Sequence, residues 1–560
     1  MMFINYKPIQ FILIFTFLFF SNYTKAQSFD LITSSNSTFN KKTVGVLHVN
    51  KNSIQNGYTL LYPSNSTKTF LINNDGKIIN QWTSNYNPGQ TAYLMDNGNL
   101  VRSCKTNNTT FKLGGIGGRI EIKNWNDDLL WEWQLSDSTQ CLHHDIKPLP
   151  NGNILAILVE KKLLPDVISA GRDTLKLSDK ELWNEVILEI KPIDNNKAEI
   201  VWQWSAWDHL AQNKYSDKIN YNTIKKHPEL IDVNYNLELN STADFLHFNS
   251  IDFNSQLNQI MVSVRNYSEI WVIDHSTTTA QAKTHKGGKT DMGGDLLYRW
   301  GNSKAFGGNT DAKLDGQHSA SWIKKGFINE GKITLFDNKA TTRHARIVMI
   351  NPSLNKQTFK YNYILNKGFG PDKEFWTYTQ PNFVEGRAGA VQGLQNGNVL
   401  ITETSKGRLL EITPQKDTAW IYTIPFSNDI ALTQNKPFEN AGTSFKAEKY
   451  SINHSAFLDK KTIGGSSIEL NPNVSFSRLE ITPTIDSIKP IQLSAQNKCV
   501  LPINNVFVFY NKPISVYTKT GDLYDEQIIK ENGLFYLGLY NPGIYYIKCN
   551  NVISKIEITK

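Results

Sequence analysis

The sequence lacks the short motifs that mark several common active sites. It contains no G-x-x-x-x-G-K-[ST] loop, no H-E-x-x-H pair and no G-x-S-x-G elbow. These motifs hold a phosphate, a catalytic zinc ion and a serine nucleophile, respectively. The stretch Asn73 to Gly76 is the nearest approach to an EF-hand loop, and it does not complete one. The absences argue against all four kinds of site.

Cysteine is also scarce. The 560 residues include only Cys104, Cys141, Cys499 and Cys549. Their spacing matches no metal-binding motif, and we assign no catalytic role to any thiol. In an oxidising compartment, Cys104 with Cys141 and Cys499 with Cys549 are each close enough in sequence to close a short loop. Disulfide pairing is therefore left open.

Long apolar runs are absent apart from one stretch near the N-terminus. This largely apolar stretch, Ile9 to Phe20, follows Lys7 and precedes the polar residues Thr24 to Gln27. Such an arrangement is typical of a secretory signal peptide, whereas a transmembrane helix needs about 20 apolar residues. We predict a signal peptide over residues 1–26, an exported protein that is secreted or held at the cell surface after transit through the periplasm, and no membrane span.

Strongly basic clusters are absent too. The formal net charge is +8, and no Lys/Arg cluster interleaved with aromatic residues is present to follow a phosphate backbone. A nucleic-acid partner is therefore not expected. We interpret the positive excess as a solvated basic surface, with attraction of a small anionic substrate as the alternative.

What the sequence does contain indicates β structure. Aromatic residues make up 11% of the chain, and they favour strands. Asn-Gly turns at residues 97–98, 151–152 and 396–397 each lie between short apolar runs, the signature of a β-hairpin. Their recurrence predicts an all-β protein with a six-bladed β-propeller over residues 57–445. An irregular β-sandwich or a β-helix is the alternative, because turns do not fix how sheets pack.

The remaining segments complete the predicted domain organisation. Residues 27–56 are an N-terminal extension, and residues 446–486 are a linker. Residues 163–243 interrupt the repeats with sequences such as SDKELWNEVILEIKP, which we interpret as inserted loops and short helices. Residues 487–560 alternate polar and apolar residues and predict a small antiparallel, sandwich-like β domain.

This C-terminal region resembles the sorting domain of proteins exported by the type IX secretion system of Bacteroidetes. The resemblance rests on the sequence ISVYTKTG, a Gly-x-Tyr-Tyr strand and a terminal strand that contains lysine. It implies secretion machinery as a partner. A carbohydrate-binding module or a plain stabilising β module is the alternative.

Histidines stand out beside the repeats, in the sequences CLHHDI, DFLHFNS and GQHSASW. If each sequence begins an innermost propeller strand, side chains that are distant in sequence converge on the central channel. Adjacent residues of a strand face opposite ways. We therefore expect only one of His143 and His144 to reach the channel, and we choose His144.

Taken in order, the motifs resemble the aryl-sulfate sulfotransferase (arylsulfotransferase) family. The resemblance covers residues 57 to 425 through GYTLLYP, GGRIEIKNWNDDLLWEW, HHDIKPLPNGN, AWDHL, DFLHFNSIDFN, VSVRNYSEIWVIDHSTTT, GGDLLYRWGN, GQHSASWI and NGNVLITE. It implies a six-bladed propeller in which a histidine takes a sulfuryl group from a phenolic sulfate, holds it as sulfohistidine, and passes it to a phenolic acceptor. It implies no cofactor and no nucleotide.

The resemblance also implies site residues. His247 and His318 match the family's active-site histidines, and His144 comes next. Arg265 matches an arginine that could bind sulfate with two hydrogen bonds, and a cross-strand ion pair with Glu269 or a neighbour is the alternative.

Three departures from the family pattern affect the site. Arg343 ends, and Arg346 follows, the segment DNKATTR, which lacks the family's usual glycines, and we expect one of the two arginines to line the site. Ser319 stands where relatives usually have Asp. The family's late histidine, its sulfuryl acceptor, has no counterpart, and Arg387 lies in that segment instead. Either another histidine, such as His318 or His144, is the nucleophile, or the activity has shifted or been lost.

Two other function classes stay open. The first is a noncatalytic propeller that binds glycans, sulfated polymers or a surface protein. The second is a lyase or hydrolase on sulfated carbohydrate, which needs a carboxylate or tyrosine base beside the histidines. Convergence of three histidines and an arginine favours catalysis, whereas histidines scattered over blade edges favour binding.

Overall fold

The computed structural model describes residues 43–235, 242–339, 342, 344–380, 383–436 and 441–472, and separate strands between residues 491 and 559. The predicted signal peptide, Arg343 and Cys499 lie outside the described residues. No helix among the described residues is long and apolar enough to cross a membrane.

Between residues 45 and 451, the described strands form five four-stranded antiparallel sheets and one five-stranded antiparallel sheet. The sheets are numbered along the chain, and the strands of each sheet are given in their order across it. The first sheet contains Glu448–Ser451, Gly57–Leu61, Lys68–Asn73 and Ile78–Thr83; the second contains Pro88–Leu94, Leu100–Lys105, Gly118–Lys123 and Leu129–Gln134; the third contains Gln140–Pro148, Ile154–Leu163, Glu181–Ile193 and Lys197–Ser205. The next three contain Phe248–Asn254, Gln259–Val264, Glu269–Asp274 and Leu296–Trp300; then His318–Trp322, Ile333–Asp337, Arg346–Ile350 and Trp376–Tyr378; then Ala390–Gly393, Val399–Glu403, Arg408–Ile412, Thr418–Thr423 and Gly45–Val49. The all-β prediction is confirmed.

Two strands join residues that are far apart in the chain. Glu448–Ser451 pairs with Gly57–Leu61 in the first sheet, and Gly45–Val49 pairs with Thr418–Thr423 in the sixth. Both strands lie outside residues 57–445, in the segments predicted as linker and extension. The first and sixth sheets therefore draw on a longer stretch of chain than the repeats indicated.

The first-named strand of each sheet, here called its inner strand, is joined to the inner strand of the next sheet by side-chain hydrogen bonds. These bonds run from Leu94 N to Tyr450 Oη, from Tyr93 Oη and Ile251 N to Asp145, from Ala320 N to Ser250 Oγ, from Val391 N to Ser319 Oγ, and from Lys449 N to Gln392 Oε1, over 2.7 to 3.3 Å. The inner strands therefore form a closed ring.

Apolar side chains fill the spaces between neighbouring sheets. Each of six buried clusters draws its main residues from two adjacent sheets, and the sixth sheet packs against the first. A tryptophan on the outermost or next-to-outermost strand of every sheet donates its indole N–H to a backbone carbonyl of the following sheet: Trp82 to Asn124, Trp131 to Lys197, Trp204 to Gly294, Trp300 to Pro371, Trp376 to Pro414 and Trp420 to Asn74. Burial of apolar surface and these bonds together hold the ring closed.

The three Asn-Gly turns are hairpins, as predicted. In each, the Asn side chain accepts a hydrogen bond from the backbone N–H two residues later, over 3.0 to 3.1 Å. Gly98, Gly152 and Gly397 have φ values of 84°, 86° and 88°, a left-handed conformation that glycine adopts without a steric penalty. Each turn joins an inner strand to the strand beside it.

The prediction for residues 163–243 is wrong in one part. SDKELWNEVILEIKP contributes the 13-residue strand Glu181–Ile193, which lies between two other strands of the third sheet. Nine consecutive residues of this strand are buried, so the two-residue alternation that marks a half-exposed strand is missing. Four short helices do lie within residues 163–243, as predicted: the α-helix Leu164–Ser169 and the 3₁₀ helices Thr174–Lys176, Ala206–His209 and Ile224–Lys226. The other short helices of the described chain are the α-helix Thr279–Ala282 and the 3₁₀ helices Arg265–Tyr267, Ser303–Phe306, Thr404–Lys406 and Ser455–Phe457.

Short two-stranded ladders lie in the connections: Leu210–Ala211 with Ile231–Asp232, Leu354–Asn355 with Lys360–Tyr361, Tyr363–Ile364 with Gly368–Phe369, and Phe426–Ser427 with Ile430–Ala431. The strands near the C-terminus form a five-stranded sheet and a pair. In sheet order they are Ile491–Ser494, Val552–Thr559, Gly543–Cys549, Pro513–Thr518 and Leu523–Ile528, with Val500–Pro502 pairing Leu534–Tyr536. Ile491–Ser494 runs parallel to its neighbour, so this sheet is mixed rather than antiparallel throughout.

Cys104 and Cys141 do not form a disulfide. Both thiols are free and buried. Cys104 accepts a hydrogen bond from Arg102, and Cys141 donates to Ser136. Burial raises the pKa of the Cys104 thiol to about 12 and also raises that of Cys141, so both thiols stay protonated and unreactive at neutral pH.

Candidate functional site

The three histidines predicted for catalysis lie on the inner strands of three successive sheets. His144 lies within Gln140–Pro148, His247 immediately precedes Phe248–Asn254, and His318 begins His318–Trp322. Because neighbouring inner strands contact one another around the ring, residues separated by up to 174 positions come together.

The backbone is irregular at all three histidines. His144 and His247 have φ values of 51° and 59°, and Ser319, next to His318, has 54°. Left-handed conformations are uncommon for residues other than glycine, and they cluster at functional sites. Strand register also shifts beside each histidine. These are bulges, which re-aim side chains and break the two-residue alternation.

The bulge overturns the expectation that His143 and His144 face opposite ways. Their Nδ1 atoms lie 2.8 Å apart, and Nε2 of His143 lies 2.9 Å from a carboxylate oxygen of Glu185. An ionised carboxylate only accepts, so Nε2–H of His143 donates to Glu185. Nδ1 of His143 is then the acceptor for Nδ1–H of His144. Nε2 of His144 therefore carries a lone pair.

His247 is oriented by a carboxylate close to it in sequence. Its Nδ1 lies 2.6 Å from Oδ2 of Asp244. Burial would raise the pKa of Asp244, but interactions with His247, His143 and Arg265, including the hydrogen bond from His247, outweigh burial, and the pKa is lowered. Asp244 is therefore ionised at neutral pH and holds Nδ1–H, so that Nε2 of His247 points away from the carboxylate.

His318 is held by a neutral amide. Its Nδ1 lies 2.8 Å from Oδ1 of Asn338 and 3.1 Å from the carbonyl oxygen of Gly316. The Asn338 amide is fixed in turn, because its nitrogen donates to the carbonyls of Glu385 and Ala388. Both neighbours of Nδ1 are acceptors, so Nδ1 carries the proton and Nε2 the lone pair.

The three imidazoles form one cluster. The ring centroids of His144 and His247 are 4.8 Å apart, and the rings of His144 and His318 each lie 6.1 Å from the ring of Phe445. Burial, His247, His143, His318 and Arg265 all lower the pKa of His144. Burial likewise lowers the pKa of His318 to about 3, with Arg265 and His247 adding to it against the Asn338 hydrogen bond. Both imidazoles are neutral at physiological pH.

Gly115 makes room for His144. Its carbonyl accepts the His144 backbone N–H over 2.6 Å. A β-carbon at position 115 would lie 2.3 to 2.4 Å from three atoms of the His144 ring. Only glycine lets the imidazole occupy this position.

Arg265 lies with the histidines and is not paired with Glu269. Glu269 instead binds the fully buried Arg299, with 2.5 Å between Oε2 and Nη2. Nη1 of Arg265 donates to Oδ1 of Asn266 over 3.2 Å, and among the described residues Arg265 has no ion pair. Its backbone N–H donates to the carbonyl of His247, so a positive charge lies beside the imidazoles. The ion-pair alternative is therefore wrong.

Of the other predicted arginines, the structure describes Arg346 and Arg387, and neither is available to the cluster as a free buried charge. Arg346 donates to Asp337 over 2.9 Å, to Glu374 over 3.2 Å and to the carbonyl of Lys313 over 2.8 Å, so two carboxylates neutralise it. Arg387 is exposed. Arg343 lies outside the described residues.

The residues that orient the histidines were not among the predicted site residues. Asp244 had a local signal, since it lies three positions before His247. Glu185 and Asn338 had none, because they come from the strand Glu181–Ile193 and from the end of Ile333–Asp337. Elsewhere in the described chain, the side chains of His209, His285 and Asp295 lie close enough together to bind a metal ion.

Fold and site together define an all-β protein with a buried histidine cluster at the centre of a ring of sheets. The family model of the arylsulfotransferases (ASST) matches residues 91–424, more than half of the chain. The chain therefore belongs to the arylsulfotransferase (ASST) family. None of the curated proteins compared with this chain matches it.

Several solved structures show limited similarity. A protein of unknown function from Bacteroides caccae is 14% identical, with 70% of this chain and 98% of that chain covered and a TM-score of 0.36. Virginiamycin B lyase from Staphylococcus aureus is 11% identical, with 70% and 87% covered and a TM-score of 0.31. The Cps50 (Swd1) beta-propeller domain of Myceliophteria thermophila is 6% identical, with 69% and 90% covered and a TM-score of 0.34. These scores are too low to support a functional argument.

Proposed function

We propose that this chain is an aryl-sulfate sulfotransferase, built on a six-bladed β-propeller whose blades are the six ring sheets. The supporting observation is the cluster itself: His144, His247 and His318 each present an Nε2 with no hydrogen-bond partner among the described residues, beside Arg265, which has no ion pair there either. Unprotonated imidazole nitrogens are good nucleophiles and bases near neutral pH. Family membership points to the same activity.

We assign His247 as the nucleophile. His144 and His318 are buried, whereas His247 is partly exposed and so is the most accessible to substrate. In the first half-reaction its Nε2 bonds to sulfur, the bond from sulfur to the aryl oxygen breaks, and the phenolate leaves. The positive charge that develops on the imidazole is offset by Asp244 at Nδ1, 2.6 Å away.

We assign His144 as the base for the acceptor, because its ring is 4.8 Å from that of His247. In the second half-reaction, Nε2 of His144 takes the acceptor's hydroxyl proton while the oxygen bonds to sulfur and the N–S bond breaks. His143 and Glu185 spread the charge acquired. The same proton then returns to the next departing phenolate, so no net proton is consumed.

Arg265 supplies the charge that the sulfuryl group requires. The sulfuryl oxygens stay negative throughout the transfer, and a guanidinium binds such oxygens with two parallel hydrogen bonds. Arg265 also lies close enough to His318 for its charge to help lower the pKa of that imidazole. We assign His318 to positioning the sulfuryl group and keep it as the alternative nucleophile.

The test is a transfer assay with purified protein lacking the predicted signal peptide. A chromogenic aryl sulfate and phenol are supplied, and phenolate release and the new sulfate ester are both followed. Donor alone should leave one SO₃ on the protein, and peptide mapping by mass spectrometry should place it on His247. His247→Ala should lose the sulfuryl transfer and the SO₃ on the protein. His227→Ala, which removes a surface histidine paired with Glu229, should keep both the transfer and the protein-bound SO₃.

Other results of this assay would change either the residue assigned as nucleophile or the proposed activity. SO₃ on His318 would move the nucleophile without removing the activity. Release that does not depend on acceptor would indicate a hydrolase. No release from folded protein across several donors would favour the noncatalytic propeller that binds glycans or a surface protein.

We also propose that the protein is exported and that its C-terminal region, residues 487–560, engages secretion machinery of type IX. Both proposals rest on sequence patterns. Fractionation of cells that express the full chain, compared with a chain lacking residues 487–560, tests them. Retention of the full chain in the cytoplasm would contradict export, and equal export of both chains would contradict the role of the C-terminal region.

A further inference from the structure

Outside the histidine cluster, two imidazoles converge on one carboxylate. Nδ1 of His209 and Nδ1 of His285 each lie 2.8 Å from the same oxygen, Oδ1 of Asp295. All three ligand atoms lie within 4.8 Å of one another. We propose that these three residues form a binding site for a divalent transition metal, for which Zn²⁺ is the natural occupant.

The hydrogen-bond pattern of His209 supports this site. Its Nε2 lies 2.9 Å from the backbone carbonyl of Ala282, which can only accept, so Nε2 carries a proton. The other ring nitrogen, Nδ1, faces Oδ1 of Asp295, and both residues are buried. A histidine that ligates a metal through one nitrogen usually donates from the other to a carbonyl or carboxylate, as His209 does.

The chemistry of the three residues fits zinc. Two imidazole nitrogens and one carboxylate oxygen are common ligands of Zn²⁺ with the fourth position left to water. Ligand atoms on one tetrahedral zinc, each at about 2.0 to 2.1 Å from the ion, lie about 3.3 Å apart. The present 2.8 Å separations would therefore open by about half an ångström on loading. The side chain of His285 is 62% exposed, so it is free to make this adjustment.

Of the other two ligands, His209 is held by packing and Asp295 is buried. The ring of His209 stacks on Trp204, with 5.5 Å between centroids and 5° between planes. Gly294 lies against it, and a β-carbon there would come within 2.6 Å of Nε2 of His209 and 2.0 Å of the Ala282 carbonyl. A metal would thus bind first to the two buried ligands, and the exposed His285 would then adjust to complete the site.

The location indicates what the metal would do. His209 ends the helix Ala206–His209, which follows the outer strand of the third sheet. His285 and Asp295 lie in the connection between the last two strands of the fourth sheet. A metal would therefore join two neighbouring sheets at their outer seam, and it would stabilise the ring by binding only the folded state.

The test uses chelator-treated, full-length protein without a histidine tag, titrated with zinc chloride by calorimetry and by thermal unfolding. Because the His144 cluster offers a second place for zinc, four proteins are compared: wild type, His285→Ala, His247→Ala and His227→Ala. His285 is exposed, so its loss should leave the fold intact. We expect His285→Ala to lose one equivalent of bound zinc and the zinc-dependent rise in Tm, while His247→Ala and His227→Ala keep both.

Two results would overturn the site. One is wild-type protein that binds no zinc at concentrations up to about a hundredfold above protein, where even modest affinity gives measurable stabilisation. The other is His285→Ala that binds and is stabilised like wild type. In either case Asp295 serves only to hold the two imidazoles by hydrogen bonds.

Discussion

Two adjacent glycines allow a sharp test of His144. A β-carbon added to Gly115 would lie 2.3 Å from Cδ2 and Nε2 of the His144 ring and 2.4 Å from Cε1, whereas one added to Gly114 would meet nothing within 4 Å. Neither glycine has a left-handed φ, so alanine suits the backbone at both positions. Gly115→Ala and Gly114→Ala therefore differ in one respect only, the pressure on the imidazole.

The size of the effect follows from the geometry. Carbon atoms pack at about 3.5 to 4.0 Å, so Gly115→Ala must push the ring back by at least about 1 Å. A displacement of about 1 Å in a catalytic group costs about 100-fold in rate, equivalent to about 2.7 kcal/mol of transition-state stabilisation. Overpacking also costs about 1 to 3 kcal/mol of stability. Gly114→Ala should change neither quantity noticeably.

The assay is kcat/KM for sulfuryl transfer from a chromogenic aryl sulfate to phenol, measured well below the Tm of each variant. We expect Gly115→Ala to fall about 100-fold below wild type, and Gly114→Ala to stay close to it. If Gly115→Ala is folded and as active as Gly114→Ala, His144 has no part in the reaction and the role assigned to it is wrong.

Three further predictions concern the site and the ring. Asp244→Asn should lower kcat/KM about 100-fold or more, because a neutral amide cannot offset the charge that develops on His247; an unchanged rate in the transfer assay would contradict this. His318 stays neutral in the folded protein down to about pH 3, whereas it gains a proton near pH 6.5 when unfolded. Between those values the unfolded state binds more protons, so the free energy of unfolding should rise with pH by up to about 1.4 kcal/mol per unit for this group and level off above about 6.5. Urea unfolding at several pH values measures this slope, and His318→Gln should reduce it; equal slopes would refute the burial argument. Trp420→Phe removes an indole hydrogen bond between the sixth and first sheets and should lower the free energy of unfolding by about 1 to 3 kcal/mol, and a urea midpoint equal to that of wild type would contradict a role in closing the ring.

Burial on both faces explains the main error in the fold. The sequence of Glu181–Ile193 predicts loop and helix, because it lacks the two-residue alternation of a half-exposed strand. In the structure the segment is a strand whose buried residues run without a break. A period of two appears only when one face meets water, and this strand lies between others in a sheet that is packed on both sides. The inserted helices nearby, such as Leu164–Ser169, were expected because their segments fit no strand pattern.

The choice of ion-pair partner explains why two arginines, Arg265 and Arg346, differ from what their neighbours in sequence suggest. Glu269 lies four residues from Arg265, yet it binds Arg299, which arrives from the neighbouring strand Leu296–Trp300. The sequence predicts one of Arg343 and Arg346 at the site. Asp337 lies opposite Arg346 in the sheet and neutralises it, and Arg343 lies outside the described residues. The identity of such a partner depends on strand register, and register is not visible in one segment alone.

The sequence by itself determined what depends on near neighbours along the chain. The Asn-Gly hairpins follow from the conformational freedom of glycine and from a side chain bonding the backbone two residues on. Tertiary structure alone decided how six sheets close through strands from both ends of the region, and which groups stand behind the histidines. Glu185 and Asn338 reach His143 and His318 across 42 and 20 residues of chain, and only the ring of packed sheets brings such distant positions within hydrogen-bond distance.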